Sequence, residues 1–215
     1  MSEDRHSEAE GVELIQDPIE RAEREAENGI RQTNAALSVV AGAITATKPF
    51  RLTQKVILDL HREALDGIHL LAGTYRNSLV KIGKSHHMPP HYSEVADLVA
   101  EMCQYVNDHW GDRSACHLAA YVLWRICWIH PFADGNGRTA RAISYLVLSI
   151  AMESVLPGSP TIPELIAKDK RPYYAELEKA DESWKNGSLA LASLETMIEG
   201  LLAEQLLSAV QKAGL

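Results

Sequence analysis

Residues 130–141 read His-Pro-Phe-Ala-Asp-Gly-Asn-Gly-Arg-Thr-Ala-Arg and interrupt two stretches apolar on almost every side: LAAYVLWRICWI (residues 118–129) and AISYLVLSIAM (142–152). Helices of that kind belong in the middle of a domain. A polar, glycine-rich loop between them is costly to bury unless its polar groups find partners. Any fold this chain adopts must therefore carry the loop at its centre and give it something to hold.

The loop's chemistry indicates what it would hold. Gly135 and Gly137 permit backbone conformations closed to other residues and let the N–H groups of residues 135–138 converge where the next helix starts. A helix N-terminus offers unpaired donors and partial positive charge, a natural seat for an anion. Arg138 and Arg141 are three apart and share one face of that helix. Two guanidinium groups beside such a nest point to a di- or triphosphate. Asp134 precedes the nest as a carboxylate able to hold Mg²⁺, which takes a few protein oxygens together with phosphate oxygens and water. His130 ends the preceding helix, and its ordinary pKa near 6.5 suits removal of a proton from a hydroxyl. Taken singly, these residues read as a helix-ending histidine, an Asp-Gly turn and solvated arginines. A structural account must explain all of them together, between two apolar helices.

Composition bounds the rest. The 215-residue chain is 46% apolar and 23% charged, ordinary for one globular domain. Its net charge of −8 argues against broad nucleic-acid binding, which needs a surplus of Lys and Arg. No secretory signal and no apolar run of about 18 residues can be read, so neither a leader nor a membrane span is expected. Cys103, Cys116 and Cys127 are odd in number and match no zinc spacing; they read as buried small hydrophobes in a reducing compartment. The expected location is the cytoplasm, with export lacking a classical signal left open. His86, His87 and His91 read as exposed loop histidines rather than a zinc site.

Along the chain, residues 1–16 read as a loose charged lead-in and 17–48 as an N-terminal helix with a weak point at Asn28-Gly29. A core over 49–185 and a C-terminal helix over 186–215 follow. Helices are expected near 53–66, 94–108 (capped by Ser93), 114–129, from 138 onward, from the Thr161-Ile-Pro-Glu164 capping box, and at 171–184 and 189–212. Residues 74–90 change character, with β-branched residues, a glycine turn and a double proline, and read as a short hairpin or extended flap. The fold class is all-α with one small β-flap.

The stretch HPFADGNGRTAR resembles the signature of the Fic (Fido-domain) family, His-x-Phe-x-Asp/Glu-Gly-Asn-Gly-Arg-x-x-Arg, at every specified position. Residues 72–76 (AGTYR), 80–83 (VKIG), 87–90 (HMPP) and 173–181 resemble the family's flap, the segment after it and a following helix. The resemblance spans roughly residues 50–185. It implies a Fic-type helical bundle with a short β-hairpin flap over the active site, and transfer of AMP from ATP to a Ser, Thr or Tyr hydroxyl of a target protein. Carried over by position, His130 would be the base, Phe132 the anchor of the loop and Asp134 the Mg²⁺ ligand. Gly135, Asn136 and Gly137 would cradle the phosphates, with Arg138 and Arg141 at their far end. Val80, Lys81, Ile82 and Gly83 would pair their edge with an extended target segment.

Many family members carry a self-inhibiting helix, Ser/Thr-x-x-x-Glu-Gly/Asn, whose Glu pairs with the second motif arginine, here Arg141. Two segments approach that pattern, with Glu in place of Ser/Thr: Glu23-x-x-x-Glu27-Asn28 and Glu195-x-x-x-Glu199-Gly200. Glu27 is the preferred inhibitory residue and Glu199 the second. The same site would also serve UMP or phosphocholine transfer or AMP removal, and a nucleotide-binding regulatory module without turnover is the reading from another class. Phosphorylation of the Doc type is disfavoured because Gly137 stands where that branch has Lys. The expected partners are ATP and a target protein, with no nucleic acid and no membrane. The apolar run Ala35–Ile44 would pack either inside the domain or across a homodimer.

Overall fold

The computed structural model describes residues 7–8 and 13–214. Its elements in chain order are β1 (Ser7–Glu8), α1 (Pro18–Thr45), α2 (Gln54–Leu65), β2 (Lys81–Ile82), a 3₁₀ turn (Tyr92–Glu94), α3 (Val95–Asp108), α4 (Ala115–Ile129), α5 (Asn136–Ala151), α6 (Ile162–Lys168), α7 (Arg171–Lys185) and α8 (Ala192–Ala213). The fold is all-α with a minimal strand pair.

Helices α4 and α5 form the centre. Leu118, Val122, Ile126 and Ile129 on the first and Ile143, Leu146 and Val147 on the second are fully buried. Helix α5 also packs on α1, α2 and α6, while α3, α7 and α8 cover α4. The two central helices are apolar nearly all round because neighbours cover them on nearly every side. Ala36 and Val40 of α1 join this core, and Ala35, Leu37, Val39, Ala43 and Ile44 pack against it, so this run faces inward.

Start signals act as capping chemistry dictates. Asp17 accepts from the N–H groups of Ile19 and Glu20 at 2.9 Å each, with Pro18 in the first turn. Thr53 and Ser114 cap α2 and α4, and Thr161 with Glu164 forms the expected box. At α3 the cap differs from expectation. A 3₁₀ turn precedes the helix, and His91 caps that turn in place of Ser93, with Glu94 returning a bond to the His91 N–H at 3.0 Å.

Two further expectations are corrected. Helix α1 runs unbroken through Asn28-Gly29. Asn28 is fully buried and donates to the carbonyl of Asp66 at 2.8 Å, and Gln32 donates to that of Leu60 at 3.1 Å. These amides fasten α1 to α2, and the suspected weak point is a fixed point. Secondly, the described part of the lead-in is not loose. Leu14 N–H donates to Ile68 C=O at 2.9 Å, Glu13 forms an antiparallel bridge with His69, and Ile15 is buried with Ala64, Leu65 and Ile68. Residues 1–6 and 9–12 of that lead-in lie outside the described residues.

The flap is present, with a turn joining Ile82 C=O to Ser85 N–H at 3.1 Å. Its strand β2 pairs with β1 and not with the flap's own return arm. That arm carries Pro89 and Pro90, which have no N–H to offer a ladder.

Candidate active site

Helix α4 ends where the motif begins. His130 is its C-cap in a left-handed conformation (φ 50°, ψ 58°), its N–H on Ile126 C=O at 2.9 Å. The side chain is 8% exposed, and its Nδ1 lies 3.4 Å from Cys127 C=O. Burial pushes its pKa down to about 3, assisted by Arg76 and His87 and opposed by the Cys127 bond. The imidazole is therefore neutral at pH 7. With the Nδ1 proton on the carbonyl, Nε2 carries the lone pair.

The next residues are locked from within and from below. Asn136 accepts from Phe132 N–H at 2.9 Å and donates to Phe132 C=O at 2.8 Å. This side chain is a staple that closes the loop on itself. Phe132 is fully buried and stacks on His61 of α2, with centroids 3.6 Å apart and planes within 5°. His61 Nδ1 accepts from Gly73 N–H at 2.9 Å, and its Nε2 donates to Asp134 C=O at 3.0 Å. Burial lowers the pKa of His61 to about 4, consistent with a neutral ring that donates on one side and accepts on the other. Gly135 caps α5 at φ 75°, and a Cβ there would lie 2.4 Å from Leu65 Cδ2. Gly137 is helical; its bare Cα leaves room for the Arg141 guanidinium, 3.3 Å from where a Cβ would stand.

Charge converges at the start of α5. Asp134 Oδ1 accepts from Gly135 N–H at 2.6 Å, while Oδ2 lies 3.1 Å from Arg21 and 3.6 Å from Arg138. Glu25 of α1 lies 3.4 Å from Arg138 and 3.1 Å from Arg21. Arg141 lines the same cavity of about 820 Å³ together with His130, Asp134, Gly135 and Gly137. Among the described residues no three His, Cys, Asp or Glu side chains converge as a metal cage. Mg²⁺ coordinated mainly by phosphate oxygens needs only one or two carboxylates, and Asp134 at the mouth of the nest fits that demand.

The structure thus brings together His130, Asp134, Gly135, Asn136, Gly137, Arg138 and Arg141, with Ile82 of the flap on the same cavity. Val80 is buried at the flap's root and Lys81 is exposed on β2; Gly83 lies in the turn that follows. It does not bring in the two suspected inhibitory glutamates. Glu27 is 71% exposed and pairs with Arg24 at 3.4 Å. Glu199 is exposed on α8, near Cys116. Glu25, two residues before Glu27, points at the arginines because it shares a helix face with the buried Asn28.

Several residues of the site escaped the sequence reading. His61 sits on the apolar face of α2 among Ile57, Leu60, Ala64 and Leu65, and a histidine at core spacing is the one signal it gives. Arg76 is 2% exposed, and its guanidinium donates to the carbonyls of His130 (2.8 Å), Ser78 (3.0 Å) and Pro90 (2.6 Å). His87 is buried, not exposed, with Nε2 on Trp128 C=O at 2.7 Å. Arg21 and Glu25, four apart, read in sequence as an ordinary surface pair.

A profile of the Fic/DOC family matches residues 51–148, the stretch that holds α2, the flap, α4 and the motif. Residues 51–148 form a Fic/DOC domain. Among curated relatives, the protein adenylyltransferase Fic of Drosophila persimilis is 34% identical over 134 residues, covering 61% of this chain and 24% of its own. That of Drosophila melanogaster is likewise 34% identical over 134 residues, with 61% and 25% covered. The chain spans about a quarter of the length of these relatives. Two solved structures share the fold. Fic-1 of C. elegans aligns with a TM-score of 0.65 at 20% identity over 87% of this chain and 52% of that one. A Fic domain containing signaling protein of Bacteroides thetaiotaomicron aligns at 0.66 and 19% identity over 87% and 72%. The Fic/DOC core accounts for the site just described, whereas α1 and the segment before it lie outside the matched residues.

Proposed function

We propose that this protein transfers AMP from ATP to a Ser, Thr or Tyr hydroxyl of a target protein. The observation that carries the reading is a buried His130 on the same cavity as the N-terminus of α5 and two arginines. The curated relatives named protein adenylyltransferase add weight to it.

The chemistry follows from placement. The polyphosphate lies along the start of α5, its far end between Arg138 and Arg141. The target hydroxyl oxygen attacks the α-phosphorus and passes its proton to Nε2 of His130. The new bond to phosphorus forms as the bond to the bridging oxygen breaks, and pyrophosphate leaves with that electron pair. Asp134, together with phosphate oxygens, would hold Mg²⁺, which would supply neutralisation of the charge on the leaving group. The anionic substrate favours the protonated imidazole, so its arrival raises the low pKa of His130 toward a useful value. The protein contributes position and fixed charge, and no covalent enzyme intermediate is needed.

Intact-mass spectrometry after incubation with ATP and Mg²⁺, alone and with lysate proteins, is the direct test, with His130→Ala as control. A gain of one AMP that depends on His130 is expected. No adduct with the parent protein under ATP, UTP or CDP-choline would leave a nucleotide-binding module without turnover.

A further inference from the structure

The edge of β2 already has an occupant. Ser7 and Glu8 pair with it antiparallel, Ser7 opposite Ile82 and Glu8 opposite Lys81. The same N-terminal segment meets the protein again at Glu13, which bridges His69, and at Leu14, whose N–H donates to Ile68 C=O at 2.9 Å. Ile15 then fills an apolar seat made by Ala64, Leu65 and Ile68. The Glu13 carboxylate pairs with Arg21, and Glu13 and Gln16 line the cavity that holds His130. These contacts are backbone ladders with one anchoring side chain, the pattern of an extended peptide added to a sheet edge.

We propose that residues 7–8 and 13–15 occupy the track on which an extended segment of the target docks, and that their chemistry describes that target. The proposal rests on the AMP-transfer reading for what the competing segment undergoes, but not for its docking. Residues 77–93 hold the exposed Lys81, Lys84, His86 and His91 and not one Asp or Glu, in a chain of net charge −8. The stretch of sequence that contains these residues, SEAEGVELIQ over 7–16, carries Glu8, Glu10 and Glu13 and no basic residue. A basic flap with an acidic occupant selects an extended acidic segment with an aliphatic residue for the Ile15 seat. Its own segment is tethered and competes at an effective concentration on the order of millimolar. A target in trans therefore gains access only when that segment leaves.

Anisotropy of a fluorescein-labelled SEAEGVELIQ peptide tests this on the full chain without nucleotide. Two variants free the track differently. Leu14→Pro removes the N–H bonded to Ile68 and leaves the apolar seat intact, since Leu14 is 51% exposed. Ile15→Asp empties the seat. The peptide is expected to bind both variants at least tenfold more tightly than the parent, with faster amide exchange at the β2 N–H that faces the N-terminal segment in the unliganded variants. A peptide with its three glutamates replaced by lysine is expected to bind the variants at least tenfold more weakly. Equal affinity for parent and variants, or no binding to either variant, overturns the occupancy; equal binding of the lysine peptide overturns the acidic preference. Because no turnover is involved, these results stand apart from the mass measurement that decides AMP transfer.

Discussion

Gly135 and Gly137 occupy equivalent places in the motif's pattern yet meet different demands. Gly135 needs positive φ and has Leu65 against it, whereas Gly137 is helical and faces only the end of a long side chain. Gly135→Ala is expected to lower stability by ~1–3 kcal/mol through strain and overpacking together. Gly137→Ala is expected to shift it by less than ~1 kcal/mol, helix propensity offsetting the crowding of Arg141. Urea midpoints of the two variants check this, and equal losses would count against a left-handed cap at Gly135. The same contrast separates what a residue type reveals from what its surroundings add. The glycines were legible as a loop that needs freedom, but which one needs positive φ depends on α2, a distant part of the chain. Asn136 is similar: its place beside an anion seat was legible, its use as a clasp on Phe132 was not.

Helix α1 brings two charges to the site, and their placement is complementary. The Arg21 guanidinium sits on the carboxylate that would hold Mg²⁺, and the Glu25 carboxylate sits on an arginine that would hold phosphate. Each part-buried pair is individually modest, on the order of 1 kcal/mol, but displacing both would raise the cost of nucleotide entry. Arg21→Gln and Glu25→Gln are each expected to tighten binding of Mg²⁺ with a non-hydrolysable ATP analogue about three- to tenfold by calorimetry. Glu27→Gln is expected to leave it unchanged. Weaker binding in Arg21→Gln would make Arg21 a phosphate ligand and sink the restraint. Glu27 matches the Glu-Asn end of the family's inhibitory pattern, but its side chain pairs with Arg24. The helix follows a different rule: Asn28, Gln32, Ala36 and Val40 mark its buried face, and Arg21 and Glu25 extend that face by helical spacing. Two of those four markers are polar, which hid the face from a hydrophobic pattern.

At the scale of the molecule, two neutral histidines are enclosed in an acidic protein. The folded pKa values, about 4 for His61 and about 3 for His130, lie below the ordinary 6.5. Between these limits the unfolded chain binds more protons than the folded one, so stability present above pH 6.5 is lost as pH falls toward 4 and then 3. The slope reaches about 1.4 kcal/mol per pH unit for each group. Thermal midpoints are expected to be level above pH 7 and to fall steadily from 6.5 to 5, and a flat profile there would count against burial of neutral rings. The helical order of the molecule was open to sequence reasoning because caps and apolar faces are local signals. The N-terminal segment was not, since its composition is that of a solvated tail and its pairing with residues 68–69 and 81–82 is long-range. The pairing of β2 was obscured for the same reason.

Arg76 has a consequence for whatever lies along that strand. One guanidinium clasps the carbonyls of Ser78, Pro90 and His130, and the backbone N–H of Arg76 holds Pro131 C=O at 2.9 Å. The root of the flap and the residue bearing the imidazole are therefore riveted to a single cation. The interval between the β2 edge and the imidazole becomes a fixed length, a gauge built into the scaffold. Among several hydroxyls on one bound segment, such a gauge would choose by distance along the strand before side-chain identity is felt.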